Sequence, residues 1–372
     1  MHIARNIKAY TIIYIAAALT LLLSLAMSCN KVEYGYVDTG EEESSNPSIS
    51  EVSFSFDWSK LDETGDLPND LLVVMSRVVN TVHYVYSLDK DGMIQQEQVA
   101  ATDTILNGDY YVLALAQKGS YYKYELDGVD QFVDSLNISM KHLYARIPEV
   151  PTDTLVEKKI MDFNPLYPFI YSAEPLYLEV KKQSIYPGKE ANNVVLTPQL
   201  LTRTLTFKIN VTVEEGVQIE RLVGIISGVP SEIQLMSGIV SRYYTSKAFF
   251  EMTNEFNKDN NYIYAGDVNV LGLFPATKPG FITGPGILQI ILDAKVANKN
   301  KRRFFASINL KETIEKADLM IETEDHQGYR SVKDAVLEVP ASLIVSKDQI
   351  LSGGGNGLEI WYDNEVDIEA EI

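Results

Sequence analysis

"LTRTLTFKINVTV", residues 201–213, sets Leu205, Phe207, Ile209, Val211 and Val213 at every second position, with polar residues at Thr204, Thr206, Lys208, Asn210 and Thr212 between them. Successive side chains of a strand point to opposite faces, so this period of two predicts a half-buried β-strand. "VSFSFDW" (52–58) alternates in the same way, with Val52, Phe54, Phe56 and Trp58 against Ser53, Ser55 and Asp57. Further strand-like runs are "LLVVMSRVV" (71–79), "VHYVYSL" (82–88), "TDTILNGDYYVLALAQ" (102–117), "LYLEV" (176–180) and "NNVVLTP" (192–198). Past residue 213 come "IERLVGIISGVPSEIQLM" (219–236), "NNYIYAGDVNVLGLFP" (260–275) and "GILQIILDAKV" (286–296), the last expected to turn at Asn298–Asn300 into "NKNKRRFFASINL" (298–310).

Short strands punctuated by turn residues predict an all-β chain of antiparallel β-sandwiches. No long amphipathic helix is expected; "SLNISMKHLYARI" (135–147) is the best short one. Pro148, Pro151, Pro165, Pro168 and Pro175 mark residues 148–175 as loops and edge segments, since proline cannot donate to a ladder. Pro198 punctuates a boundary near residue 200. The expected organisation is a signal segment (1–28), an acidic tether (29–49) and two sandwich domains (50–200 and 201–372).

The chain has 372 residues, 46% of them apolar, enough for packed cores. Its net charge is −19, and no basic stripe offsets it, which argues against nucleic-acid binding because phosphate contacts need clustered Lys and Arg.

The N-terminus has a different logic. Arg5 and Lys8 precede an apolar run over 11–27, and "LSLAMSCN" (23–30) then brings small residues up to Cys29, the single cysteine. Positive n-region, apolar h-region and small residues before a cleavage point make a secretory signal. A cysteine just after that point predicts a bacterial lipoprotein, with Cys29 as lipid attachment site and the outer membrane as partner. A plain secretory signal and a retained transmembrane helix are the alternatives; the run is slightly short for a span of about 20 residues. Two or more acyl chains would anchor the protein stably where one would not. The mature chain would contain no disulfide.

Residues expected to carry chemistry are scarce. His2, His83, His142 and His326 lack ligand spacing, and there is no Gly-x-Ser-x-Gly elbow. Catalytic residues, metal ligands and cofactors are therefore expected to be absent, and the chain is read as no enzyme. Asp89-Lys90-Asp91-Gly92 approaches a calcium-loop pattern but reads as a turn. Tyr121-Tyr122, Tyr243-Tyr244 and Trp361-Tyr362 are candidate stacking surfaces for glycans, although tyrosine is also a favoured strand residue. Asp103-Thr104-Ile105, Asp134-Ser135-Leu136 and Asp153-Thr154-Leu155 are candidate O-glycosylation sites.

Taken in order, "SCNK" (28–31), "FSFDW" (54–58), "ILNGDYYVLALAQ" (105–117), "HLYARIPEV" (142–150), "LTRTLTFKINV" (201–211), "IISGVPSEIQLMSG" (225–238) and the glycine-rich run before "EVDIEAEI" (365–372) resemble a Bacteroidetes lipoprotein family of unknown function. That family is akin to the fimbrillin and fimbrial-anchor lipoproteins of type V pili. The resemblance implies two transthyretin-like β-sandwich domains on a lipid anchor at the cell surface, without catalysis. It also implies fimbrial partners joined by strand addition, in which a strand of one subunit completes a sheet of another. Polymerising members are cut at an arginine near the first strand, whereas no basic residue lies between Lys31 and Lys60 here, so a permanently anchored or accessory subunit is expected. A glycan-binding lipoprotein of a polysaccharide-utilisation system is the second expectation.

Overall fold

The computed structural model describes residues 48–61, 67–68, 70–78, 83–93, 102–117, 122–126, 143–160, 166–187, 192–258, 260–296, 300–324, 326–347, 349–352 and 358–362. Before residue 201 lie β1 (Ile49–Phe56), β2 (Leu71–Arg77), β3 (His83–Leu88), β4 (Thr102–Leu106), β5 (Gly108–Gln117), β6 (Lys123–Leu126), β7 (Leu143–Arg146), helix α1 (Thr152–Glu157), β8 (Phe169–Ile170), β9 (Leu176–Ile185), β10 (Asn192–Leu196) and β11 (Gln199–Leu200). After it come β12 (Arg203–Val213), β13 (Val217–Pro230), β14 (Glu232–Gln234), β15 (Thr245–Glu251), β16 (Thr253–Lys258), β17 (Asn261–Val270), β18 (Ile287–Val296) and β19 (Asn300–Asn309). Helix α2 (Lys311–Ala317) and strands β20 (Met320–Glu322), β21 (Tyr329–Ser331), β22 (Ala335–Val345), β23 (Ile350–Ser352) and β24 (Leu358–Tyr362) complete the chain. The all-β expectation holds.

The opening stretch is β12, and its five apolar residues are all buried while its threonines are half-buried or exposed. Each such burial contributes roughly 1.5–3 kcal/mol. β12 sits in the middle of a five-stranded sheet ordered β16-β17-β12-β22-β23. Its apolar face packs with Leu222 and Ile226 of β13, Leu288, Ile290 and Leu292 of β18, and Phe304 and Ile308 of β19. Those strands belong to a six-stranded sheet, β24-β19-β18-β13-β15-β8. The hairpin expected around residue 298 joins β18 to β19, whose ladder runs to Val296 opposite Asn300.

The first half is built alike. A three-stranded sheet, β10-β1-β4, lies over a five-stranded one, β11-β9-β5-β2-β3. Val52, Phe54, Ile105 and Val194 of the small sheet pack with Val73, Met75, Tyr110, Val112 and Ala114 of the large one. Asn107–Gly108 is a corner between the two sheets, where β4 leaves one and β5 enters the other.

Two of the large sheets, the one containing β5 and the six-stranded one, are covered on both faces. Val74, Leu113 and Leu115 point away from the first core and join the cluster that contains Leu205 and Phe207. In the six-stranded sheet, Ile290 and Ile226 face β12, while Ile291 and Ile225 face the opposite way against Val150, Ile160 and Phe169. A strand buried on both sides needs apolar residues at every position, which is why "YYVLALAQ" and "GILQIIL" do not alternate.

Two of the bulges in the ladders explain particular residues. Ser227 pairs with Lys247 and Val229 with Ser246, leaving Gly228 as an extra residue at φ +89°. A Cβ there would lie 2.8 Å from both the Gly286 nitrogen and the Phe274 carbonyl oxygen, so the position admits only glycine. Ser227 Oγ donates to the Gly284 carbonyl at 2.5 Å and accepts from the Ile287 N–H at 3.2 Å. The second bulge lies on β22, where Lys208 pairs with Glu338 but Asn210 with Ser342. Pro340 falls inside it, a place where a missing N–H costs no ladder bond.

Two expectations are corrected. Residues 143–146 are not helical: Leu143 and Ala145 are buried on β7, which pairs with β6 and β14. Their period of two outweighs the weak helical pattern upstream. Residues 148–175, expected to be loops and edge segments, also carry a helix, α1 at Thr152–Glu157 with Pro151 at its N-cap, since proline breaks a ladder but is tolerated where a helix begins.

Candidate functional site

Cys29, the signal segment, the tether up to residue 47, His2, His142, Tyr121, Ser135, the glycine run 353–357 and "EVDIEAEI" (365–372) lie outside the described residues. The tether's exit does not. Ser48 accepts the Asn107 N–H through its carbonyl at 2.8 Å, and the chain runs straight into β1. This strand is central in its sheet, parallel to β10 from Val52–Asn192 to Phe56–Leu196 and antiparallel to β4 from Ile49–Leu106 to Ser53–Thr102. Val52 and Phe54 are buried beneath it. The Phe54 ring lies 4.6 Å from that of Tyr86, and Phe56 stacks on Trp58 at 5.7 Å.

Tyrosines close this end of the sandwich. Tyr86 donates to Asp103 Oδ2 at 2.9 Å and Tyr110 to the Leu106 carbonyl at 2.5 Å. Burial, then the bond to Asp103, holds the Tyr86 phenol far above its ordinary value. Burial pushes Tyr110 up to about 12.

A second feature was not legible in the sequence. Residues 148–160 and 166–171 leave the first half and lie across the outer face of the six-stranded sheet. Val150, Ile160 and Phe169 pack there with Val223, Ile225, Ile291 and Phe305. β8 extends the sheet by pairing in parallel with β15. Two arginines fasten the strap. Arg221 grips Glu251, with Nη2 to Oε1 at 2.6 Å, and donates Nη1 to the Lys158 carbonyl at 2.7 Å. Arg303 grips Asp293 and donates to the Lys159 carbonyl at 3.3 Å. Both carbonyls lie just past α1, at the end where cations are favoured. The signal available was the pair of arginines at Arg221 and Arg303 inside apolar strands, each with a carboxylate on a neighbouring strand.

The other candidates separate. Asp89 Oδ1 accepts the N–H groups of Asp91 and Met93, both at 2.9 Å, and Gly92 takes φ +82°; the segment is a turn. His83 is on β3 opposite Ser76, and His326 is exposed beside Glu322. Among the described residues no group of three His, Cys, Asp or Glu side chains is placed to hold a metal ion. Thr104 is exposed on β4, whereas Thr154 is half-buried on α1. Tyr122 is 3% exposed and donates to the Glu174 carbonyl at 2.5 Å, so it belongs to the core and cannot stack on a glycan. Trp361 lies on β24, opposite Phe305 in the ladder.

Tyr243 and Tyr244 are different: they are 93% and 54% exposed. Arg242 pins the base of their loop, its guanidinium 4.7 Å from the Tyr329 ring and 5.2 Å from that of Phe274. The Tyr244 carbonyl accepts the Ser231 N–H at 3.0 Å. The result is a fixed loop tip presenting two aromatic side chains.

No family model matches the chain, and no curated protein matches it. Solved structures similar to it include a candidate adhesin from Bacteroides ovatus, 15% identical, with a TM-score of 0.49 over 81% of this chain and 93% of that one. The fimbrial anchor protein Mfa2 from Porphyromonas gingivalis is 10% identical, with a TM-score of 0.39 over 84% and 98% of the two chains. A fimbrial assembly protein from Parabacteroides distasonis is 11% identical, with a TM-score of 0.32 over 85% and 99%.

Proposed function

We propose that this chain is a lipid-anchored structural protein of the cell surface, fimbrial-subunit- or anchor-like and without catalysis, serving adhesion or pilus assembly by β-strand addition. Cys29 carries the acyl chains, and the tether delivers their pull to β1. The observation that carries the reading is the position of β1, paired along both edges and buried at Val52 and Phe54. Force along a strand paired on both sides loads two ladders in shear, which suits a load-bearing attachment. With no basic residue between Lys31 and Lys60, an arginine-directed protease has no site at which to free the groove beneath β1. The test is Cys29→Ser in cells, read by detergent-phase partition and by surface protease shaving. Wild type should enter the detergent phase and be shaved from intact cells, and the variant should enter the aqueous phase. Equal partition of the two would refute the anchor.

The second reading, a glycan-binding surface lipoprotein, is favoured by Tyr243 and Tyr244 at the pinned tip. Its test is a glycan array on the wild type and on Y243A/Y244A, which should lose signal while keeping its melting temperature.

A further inference from the structure

In a chain of net charge −19, three cations, Lys60, Arg203 and Arg330, line one pocket of about 400 Å³ where β9 and β11 of the first half meet the loop after β14 and strand β21 of the second. Among the described residues none of the three is ion-paired. Glu179 is the one carboxylate lining the pocket, and it already accepts the backbone N–H of Thr197. Arg330 donates one Nη2 bond, to the Ser237 carbonyl at 2.9 Å. Arg203 Nε is buried and has no hydrogen-bond partner. That nitrogen is shut off from the pocket as well as from water, so what the pocket presents is the accessible part of Arg203 together with Lys60 and Arg330, three cations against one carboxylate. In an acidic chain they make a local charge excess that suits an anion.

We propose that this pocket binds an anionic sugar unit, a uronic acid residue of a glycan, through Arg203 and Arg330. The guanidinium fork matches a carboxylate in two-point geometry, and Lys60 adds a point charge. Gln199 and Ser331, also in the lining, offer an amide and a hydroxyl that suit ring hydroxyls. The volume lies within the roughly 300–1,000 Å³ of small-molecule sites. An acidic peptide is the poorer occupant: the strand edge at the pocket is β11, only 2 residues long, too short to hold an extended chain by backbone pairing. The inference goes beyond the structural role above and does not depend on it.

The experiment is calorimetric titration of the detergent-solubilised full chain with digalacturonate and with the neutral digalactoside. Digalacturonate should bind in a salt-sensitive way, and the neutral sugar about tenfold or more weaker, since only the carboxylate makes charge-assisted bonds. R203M and R330Q should each weaken digalacturonate by about tenfold. Arg330 is exposed, so R330Q keeps the test valid whatever R203M does to folding. Equal binding of the two sugars, indifference to both substitutions, or displacement of digalacturonate by equimolar inorganic phosphate or a glutamate-rich peptide would each overturn the assignment.

Discussion

Arg303 and Asp293 face each other across β19 and β18 in a two-point ion pair, Nε to Oδ1 at 2.6 Å and Nη2 to Oδ2 at 2.8 Å, with side-chain exposures of 7% and 14%. The pair sits on the sheet face that receives the strap, and its third bond, to the Lys159 carbonyl, ties residues from the first half onto the second. Arg221 does the same one residue earlier, at Lys158, but its partner Glu251 is 55% exposed. The two clamps look alike in sequence and differ in energetics because one is buried.

The difference is measurable. Removing one partner of a buried pair leaves the other charged and unpaired, at about 3–5 kcal/mol, whereas an exposed pair contributes about 0–1 kcal/mol. Arg303→Met should therefore lower stability in urea unfolding far more than Glu251→Gln. The double variant Arg303→Met with Asp293→Leu should recover most of the loss, since no lone charge remains. Proteolysis within 148–160 should rise in Arg303→Met. Equal effects of Arg303→Met and Glu251→Gln would mean that burial does not distinguish the clamps.

Gly228 gives a second prediction. Gly228→Ala places a methyl 2.8 Å from two backbone atoms and from the Pro285 side chain, at φ +89°. Backbone cannot yield as a flexible side chain would, so a loss of about 2–4 kcal/mol is expected, combining strain with overpacking. Gly280→Ala makes a suitable control. It shares a positive φ, +78°, but its Cβ would meet nothing within 4 Å, so only the conformational cost of about 1 kcal/mol remains. Thermal melts of the two variants should separate clearly.

How much of this was legible follows from the physics of each element. Leu205, Phe207 and Ile209 announced β12 because one face meets a core and the other meets water, which imposes a period of two. Val52 and Phe54 announced β1 for the same reason. Ile290 and Ile291 announced nothing about orientation, because both faces of β18 are buried and the period vanishes. The strap was invisible for another reason: its prolines do exclude a central strand, but what Val150, Ile160 and Phe169 pack against depends on β13, β18 and β19, distant in sequence. Tyr122 and Tyr243 are the same residue type in similar doublets, yet one is core and the other fully displayed. Only the path of the chain decides between them.

Stability should fall at high pH through the tyrosines at the β3–β4 end. Tyr86 and Tyr110 have folded pKa values raised above the ordinary 10.0, Tyr110 to about 12. A raised value means the native state holds the proton more tightly, so the contribution is fully present below pH 10 and is lost as pH rises through 12. Urea midpoints measured between pH 9 and 12 should drop in wild type. In the double variant Tyr86→Phe with Tyr110→Phe the drop should be shallower, on a baseline lowered by about 1 kcal/mol for each lost hydrogen bond. A parallel pH profile in the double variant would locate the alkaline transition elsewhere.

The last prediction concerns the C-terminal edge. β24 pairs with β19 from Phe304–Tyr362 to Ile308–Leu358, while the other edge of β19 is held by β18 along its whole length, from Ile287–Asn309 to Val296–Asn300. Phe304, Ala306 and Ile308 also lie in the shared core. Deleting residues 358–372 therefore removes an edge strand and leaves its neighbour anchored on one side and from below. The truncated chain should stay folded, with far-ultraviolet circular dichroism close to wild type, and expose the backbone edge of β19. Exposed edges recruit strands, so a synthetic peptide of residues 358–372 should bind the truncated chain and not the intact one. If the truncated chain stays monomeric while assembly is lost in cells, the segment works by donation to a neighbour. Global unfolding on truncation would instead make β24 an integral strand of its own sheet and end the strand-addition reading for this segment.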